Sequence, residues 1–131
     1  MDFQENENYC PFDTAWSLIC GKYKQRIMWL LIDRKLRFSE LQRMVPNITT
    51  KVLTQQLRML EEDKLITRTV YPEVPIKTEY ELTEMGMKAK PILMAVRDFG
   101  EQYLNEHEKP CGCPACENNY SETITLLPKH R

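Results

Sequence analysis

The most constraining feature of the sequence is a pair of helical segments separated by a tight connection around Pro46. The second segment places Leu53, Leu57 and Leu60 at intervals of four and three residues, which predicts an amphipathic helix with one buried face. Thr49 stands just before this segment and is a favourable N-cap. Two helices joined by so short a connection, the second with a polar outer face, are typical of a helix-turn-helix.

The polar face of the second helix carries side chains that are suited to contact DNA. It combines a hydroxyl, an amide and two cations, which are Lys51, Thr54, Gln55 and Arg58. Thr49 and Thr50 at the start of the helix are candidates for phosphate contacts, because free amides and the helix dipole favour an anion there. The alternative is that this face is only a solvated helix surface and that the threonines only cap it.

Three helical segments are predicted upstream of the second helix of the helix-turn-helix, which is the recognition helix. Asp13 is a candidate N-cap for the first, and the second is expected over residues 24–33 with Ile27 on its core face. The third is expected to open with a capping box formed by Ser39 and Gln42. Together these segments predict a helical core in front of the recognition helix.

Beyond Leu65 the apolar residues alternate rather than recur with a helical period. Residues 66–70 and 77–82 are rich in β-branched and aromatic side chains, which predicts a β-hairpin. Prolines in the connection, residues 72–76, make this loop stiff and protruding, as in a wing. Lys77 beside the tip is a candidate contact to phosphate or to the minor groove, with a solvated strand end as the alternative.

A final helix is predicted after Thr83, with an apolar stripe that is too long to serve only its own domain. The stripe consists of Ile92, Val96, Phe99 and Tyr103. We expect it to pack on a second copy of the chain, and Gly100 would let the two backbones approach closely. The predicted fold class is mainly α with a small β-hairpin wing (α+β), a winged helix-turn-helix with terminal dimerisation helices.

The charge distribution favours a polyanionic partner although the net charge is −1. Residues 20–80 contain 12 Lys and Arg against 7 Asp and Glu, so the excess of negative charge lies in the two ends. A basic middle segment attracts DNA. The sequence has no apolar run long enough to span a bilayer and no export signal at its start, so we expect a cytoplasmic protein.

The sequence contains five cysteines. Because the cytoplasm is reducing, we expect them to be thiols, metal ligands or redox sensors rather than a structural disulfide set. Cys10 is a candidate redox sensor at the entrance to the domain, with a small buried hydrophobic residue as the alternative. Cys20, at the end of an apolar helix, is expected to pack.

The C-terminal tail contains three closely spaced cysteines, Cys111, Cys113 and Cys116. They are candidate zinc ligands, and Cys10, His107 or a residue of a partner chain is a candidate fourth ligand. The spacing of Cys113 and Cys116 also fits thiol-disulfide chemistry, but the strand-helix context of such motifs is absent. A tail with no metal and no redox role remains the third alternative.

Six short stretches in the same order resemble the HxlR family of winged-helix regulators. They are Cys10-Pro11, Gly21-Lys22-Tyr23, Arg37-Phe38-Ser39-Glu40-Leu41, Leu53-Thr54-Gln55-Gln56-Leu57, Tyr71-Pro72-Glu73-Val74-Pro75 and Glu79-Tyr80-Glu81-Leu82-Thr83-Glu84-Met85-Gly86. The resemblance implies a dimeric bacterial repressor or activator without catalytic residues, in a family that includes sensors with a cysteine at the place of Cys10. Lys64 departs from the pattern, since the family has Gly just after the recognition helix.

The sequence therefore predicts a regulator of transcription that binds a pseudo-palindromic operator as a homodimer and responds to an oxidant, an electrophile or another small effector. We expect a flexible segment over residues 1–9, the regulator domain over 10–107 and a Cys-rich tail over 108–131. No cofactor is required by this interpretation apart from candidate zinc in the tail. The rival hypothesis is a thiol-redox or metal-handling protein that uses the winged helix as a scaffold.

Overall fold

The computed structural model describes residues 9–109 and Gly112. Helices and short strands follow one another in the order α1 (Pro11–Ile19), α2 (Lys24–Leu30), β1 (Leu36–Arg37), α3 (Phe38–Met44), α4 (Thr50–Glu62), β2 (Ile66–Tyr71), β3 (Lys77–Leu82), α5 (Glu84–Met87) and α6 (Lys90–Glu106). The fold is a winged helix-turn-helix, as the sequence predicts. No helix within these residues is long and apolar enough to cross a membrane.

One hydrophobic core forms where α2, α4 and the sheet meet. The three leucines of α4 are buried, at 0% exposure for Leu53 and Leu60 and 2% for Leu57. Ile27 and Leu30 of α2 are fully buried as well. The helical apolar spacing therefore identified the core faces of both helices.

The first two helices differ from the prediction at their ends. The N-cap of α1 is Cys10 rather than Asp13, because Pro11 has a fixed φ and no N–H group, which suits the first helical position. Helix α2 ends at Leu30, three residues early, and Asp33 takes a left-handed φ of 58° that no helix continues through.

The start of α3 corrects the predicted capping box. The N-cap is Arg37, whose backbone N–H donates to a carboxylate oxygen of Glu40 at 2.9 Å, so Ser39 does not open the helix. Arg37 also ends β1, and its extended backbone leads directly into the first turn. The amide of Gln42 is used elsewhere, in a contact with α4.

The hairpin is confirmed and is part of a three-stranded antiparallel sheet with the order β1-β3-β2. Six pairs join β2 and β3, from Ile66 with Leu82 at the base to Tyr71 with Lys77 near the tip. Strand β1, which the sequence did not predict, adds two pairs on the other side of β3. The sheet thereby connects the beginning of the helix-turn-helix to the wing.

The base of the wing is held against α5 by close backbone contacts. Lys64 has the left-handed φ of 61° that explains why glycine is usual there. Its carbonyl accepts a hydrogen bond from the Thr83 hydroxyl at 2.8 Å, and the same hydroxyl accepts from the Gly86 N–H at 3.0 Å. Gly86 packs so closely that a Cβ atom on it would lie 2.1 Å from the carbonyl oxygen of Leu65.

Candidate nucleic-acid interface

The two helices of the helix-turn-helix are fixed relative to each other by a polar contact and by the turn between them. The Gln42 side-chain amide donates to the Thr50 hydroxyl at 2.9 Å. In the turn, Asn47 adopts a left-handed φ of 62°, a conformation that asparagine tolerates. Val45 and Ile48 on either side of it are buried in the core. The turn therefore orients α4 with its leucines inward.

The outer face of α4 presents the predicted polar residues to solvent together. All four are exposed, namely Lys51, Thr54, Gln55 and Arg58. The Thr54 hydroxyl donates to the Thr50 carbonyl at 2.8 Å, so its oxygen remains an acceptor. In the part of the chain that the structure describes, neither Lys51 nor Arg58 has a carboxylate partner. Their charges are available to an anionic ligand.

The N-terminus of α4 adds hydrogen-bond donors beside this face. The Thr49 hydroxyl caps the helix by accepting from the Val52 N–H at 3.1 Å, as predicted. The amides of Thr50 and Lys51 precede the first intrahelical donor, Leu53, and can bind an anion. Since the Thr50 hydroxyl accepts from Gln42, its own proton is free to donate.

Lys77 lies at the wing, but its charge is partly compensated. Its Nζ atom is 3.7 Å from a Glu79 carboxylate oxygen and 4.8 Å from the centre of the Tyr71 ring. A hydrogen bond to Glu79 raises the pKa of Tyr71, which keeps its hydroxyl protonated. The exposed tip of the wing is instead apolar, with Val74 and Ile76 facing solvent.

The apolar stripe on α6 faces solvent in the isolated chain. Phe99 is 72% exposed, and Ile92, Val96 and Tyr103 are exposed as well. No heavy atom lies within 4 Å of the position that a Cβ on Gly100 would occupy. The stripe therefore offers a surface with space for a close neighbour.

Helix α1 contributes a second apolar surface that the sequence analysis missed. Phe12 and Trp16 are 75% and 57% exposed, and their rings stack with centres 6.2 Å apart. Helix α2 packs against both α1 and α6. The signal was present in the sequence, because aromatic residues four positions apart on a short helix share a face, while Ile19 lies buried at its end.

The two described cysteines cap opposite ends of α1. Cys10 is exposed, whereas Cys20 is partly buried against the core, and this burial raises the pKa of the Cys20 thiol. The nine residues of α1 lie between them and hold their backbones about 15 Å apart, which is too far for a disulfide. Cys111, Cys113 and Cys116 lie outside the described residues, and within those residues no cluster of three metal-ligating side chains occurs.

Comparison with known proteins gives one family and a consistent fold. The sequence model described as "HxlR-like helix-turn-helix" matches residues 18–108. The chain is 44% identical over 100 residues to the uncharacterized HTH-type transcriptional regulator YdeP of Bacillus subtilis, covering 76% of this chain and 78% of YdeP.

Two solved structures of regulators, each in its reduced form, are similar to this chain over about three quarters of its length. The redox regulator HypR in its reduced form has a TM-score of 0.72 and 40% identity, covering 76% of this chain and 98% of HypR. The reduced form of the transcriptional regulator YodB from B. subtilis has a TM-score of 0.63 and 31% identity, covering 73% of this chain and 95% of YodB.

Proposed function

Because the chain belongs to the HxlR-like helix-turn-helix family of transcriptional regulators, we propose that it binds a pseudo-palindromic operator as a cytoplasmic homodimer. The observation that carries this proposal is the exposed face of α4, where Lys51 and Arg58 stand without carboxylate partners among the described residues, beside Thr54 and Gln55. In a winged helix-turn-helix, this face enters the major groove, and the wing lies against the flanking backbone.

Selection of binding sites from random duplex DNA tests this function, because the protein itself then identifies its operator. We expect an enriched sequence with two-fold symmetry and half-sites about one helical turn apart, or slightly more. Binding to the enriched duplex should weaken steeply as salt rises, because phosphate contacts release counterions. Failure to enrich any sequence over the starting pool would contradict the proposal.

Dimerisation through α6 and α1 is the arrangement that their exposed apolar faces support. A Phe99→Glu substitution would place a carboxylate in the stripe that we propose is buried between two copies. We expect the variant to sediment as a monomer at concentrations where the wild type is a dimer, and to lose affinity for the operator because its half-sites are no longer bound together.

The control for this substitution is Met85→Glu, which adds the same charge to an exposed apolar position on α5, outside both surfaces. This variant should remain dimeric. If Phe99→Glu sedimented like the wild type, the α6 interface would be wrong, whatever the DNA affinity.

Redox control through Cys10 is supported by the exposure of its thiol and by the likeness to HypR and YodB. A peroxide converts such a thiol to sulfenic acid, which condenses with a second thiol to a disulfide and releases water. Cys20 does not serve as that second thiol within an intact α1, so a thiol of another segment, another chain or a small molecule must supply it.

We expect peroxide to change the operator affinity of the wild type by about fivefold or more, reversibly by a dithiol reductant. The Cys10→Ser variant should bind the operator but not respond, whereas Cys20→Ser should respond as the wild type does. A Cys10→Ser variant with an unchanged response would exclude this residue as the sensor.

We also propose that the tail cysteines bind zinc with His107 as fourth ligand. The Nδ1 atom of His107 lies 2.8 Å from the Tyr103 carbonyl oxygen, which only accepts, so Nδ1 carries the proton. This fixes the tautomer in which Nε2 has a free lone pair, the arrangement that metal-binding histidines use. Three thiolates and this imidazole make a closed tetrahedral set.

Native mass spectrometry of protein reconstituted with zinc tests this site. We expect one zinc ion per chain, absent when the three tail cysteines are replaced by serine and more weakly held in His107→Ala than in a His130→Ala control. Zinc retained by the triple serine variant, or no zinc bound by the wild type, would contradict the site.

The rival hypothesis of a thiol-redox or metal-handling protein on a winged-helix scaffold has less support. The relatives named above are described as regulators, and the basic face of α4 would have no role in it. Zinc and Cys10 chemistry are therefore proposed as parts of a regulator.

A further inference from the structure

A cleft of about 190 Å³ opens between α2 and α6, and its lining contains no residue of α4. Its lining comes from both helices and consists of Gln25, Arg26, Trp29, Leu93, Val96 and Arg97. Trp29 and Leu93 are nearly inaccessible, at 4% and 5% exposure, so the cleft has a solid apolar floor. Such an apolar hollow with few polar groups is the usual form of a small-molecule site.

The lining includes a buried acceptor without a hydrogen-bond partner among the described residues. The side-chain oxygen of Gln25 is shielded from solvent and accepts no hydrogen bond from any described residue. A buried acceptor in this state is costly and is uncommon in folded proteins. A ligand that donates a hydrogen bond to Gln25 would remove the cost.

The charges of the cleft favour an anion. Arg97 is already compensated, with its guanidinium 2.9 Å from a Glu101 carboxylate oxygen. Arg26 has no carboxylate partner within residues 9–109, so the lining keeps one uncompensated positive charge. A monoanion would balance it.

We propose that this cleft binds a monocyclic aromatic carboxylate that carries a hydroxyl on the ring, the chemical class of the hydroxybenzoates. The ring fits against Trp29 and Leu93, because a cavity of about 150 Å³ already holds benzene. The carboxylate pairs with Arg26, and the ring hydroxyl donates to the Gln25 oxygen. Size, charge and the missing donor thus specify one ligand chemistry.

The position of the cleft allows such a ligand to alter DNA binding. This part of the proposal rests on the proposed function. Val96 belongs to both the cleft lining and the α6 stripe. A ligand wedged between α2 and α6 therefore changes how α6 meets a second copy. It regulates only if it binds one dimer geometry better than the other.

Isothermal titration of the reduced full chain with 3- and 4-hydroxybenzoate tests binding in the absence of DNA. We expect saturable binding that Arg26→Gln weakens about tenfold or more, while Arg43→Gln, which removes an exposed arginine of α3, leaves it unchanged. Benzoate, which lacks the hydroxyl, should bind the wild type more weakly than the better hydroxybenzoate does. The Gln25→Leu variant should bind benzoate and that hydroxybenzoate equally well.

Two kinds of outcome would overturn the proposal. The first is an absence of binding by the wild type up to about 10 mM of either hydroxybenzoate, or binding that neither Arg26→Gln nor Gln25→Leu affects. The second is binding to the monomeric Phe99→Glu variant alone, which would mean that a second copy fills the cleft. Since DNA is absent from these titrations, failure of the proposed function leaves their result intact.

Discussion

Replacing Gly86 by alanine should destabilise the domain by about 3 kcal/mol or more, which exceeds the usual effect of a single added methyl group. The new Cβ would lie 2.1 Å from the Leu65 carbonyl oxygen and 3.2 Å from a methyl group of Leu82. The Leu65 carbonyl cannot withdraw freely, because it accepts the Thr83 N–H at 2.9 Å. Relief would require the base of the wing to separate from α5.

Thermal and urea unfolding at fixed protein concentration measure this effect. For a domain of this size, such a loss lowers the Tm by about 15 °C or more. Gly21→Ala is the matched control, since a Cβ there meets only flexible atoms of Lys24 at 3.8 Å and 3.9 Å. If Gly86→Ala unfolded at the same temperature as this control, the close packing of α5 on the wing base would be wrong.

Replacing Arg58 by alanine should lower the affinity for the selected operator about 100-fold or more, because a dimer loses two contacts of about 1–3 kcal/mol each. Arg58 is exposed on α4, so its removal should leave the Tm within about 2 °C of the wild-type value. Fluorescence anisotropy at several salt concentrations measures both the affinity and its salt dependence.

The salt dependence identifies what Arg58 contacts. A phosphate contact predicts a salt slope that is smaller by about two for the dimer, whereas a base contact predicts relaxed sequence preference at one position of each half-site. Lys88→Ala removes the same charge from an exposed site after α5 and should change the affinity by less than about threefold. Equal affinities of the Arg58→Ala variant and the wild type would remove this residue from the interface.

The elements that were predictable from the sequence are those with a repeated local pattern. Leu53, Leu57 and Leu60 on α4 repeat with the helical period. In the hairpin, residues typical of strands stand on both sides of a loop that contains prolines. Strand β1 could not be found in this way, because Leu36 and Arg37 form a strand only by pairing with β3. Two residues carry no periodicity, so tertiary contacts alone define this element.

Helix ends were less predictable because several residues compete to cap each one. Ser39 is a better intrinsic N-cap than Arg37, but β1 already holds Arg37 in the extended conformation that an N-cap needs. Likewise, Pro11 displaces the start of α1 ahead of Asp13.

The residues of the candidate site were predictable from the sequence, but whether each charge is free to contact DNA was not. Sequence reasoning located the polar face of α4, but it ranked Lys77 without knowing that Glu79 lies 3.7 Å away. Both residues lie on β3 and share one face of the sheet, but whether their side chains meet depends on their rotamers, which the order of charges along a chain does not contain. The aromatic pair on α1 was missed because a nine-residue helix has too few turns for a convincing stripe.

The pairing of β1 with β3 has a consequence for the spacing of half-sites in the proposed operator. Since one sheet joins the entry of α3 to the wing, and Gln42 joins α3 to α4, we expect α4 and the wing, which we propose contact DNA, to move as one body. One inserted base pair turns a half-site by about 34° and shifts it by about 3.4 Å. In the proposed homodimer, we therefore expect the junction between the two copies, rather than a hinge between α4 and the wing, to set which operator lengths are tolerated.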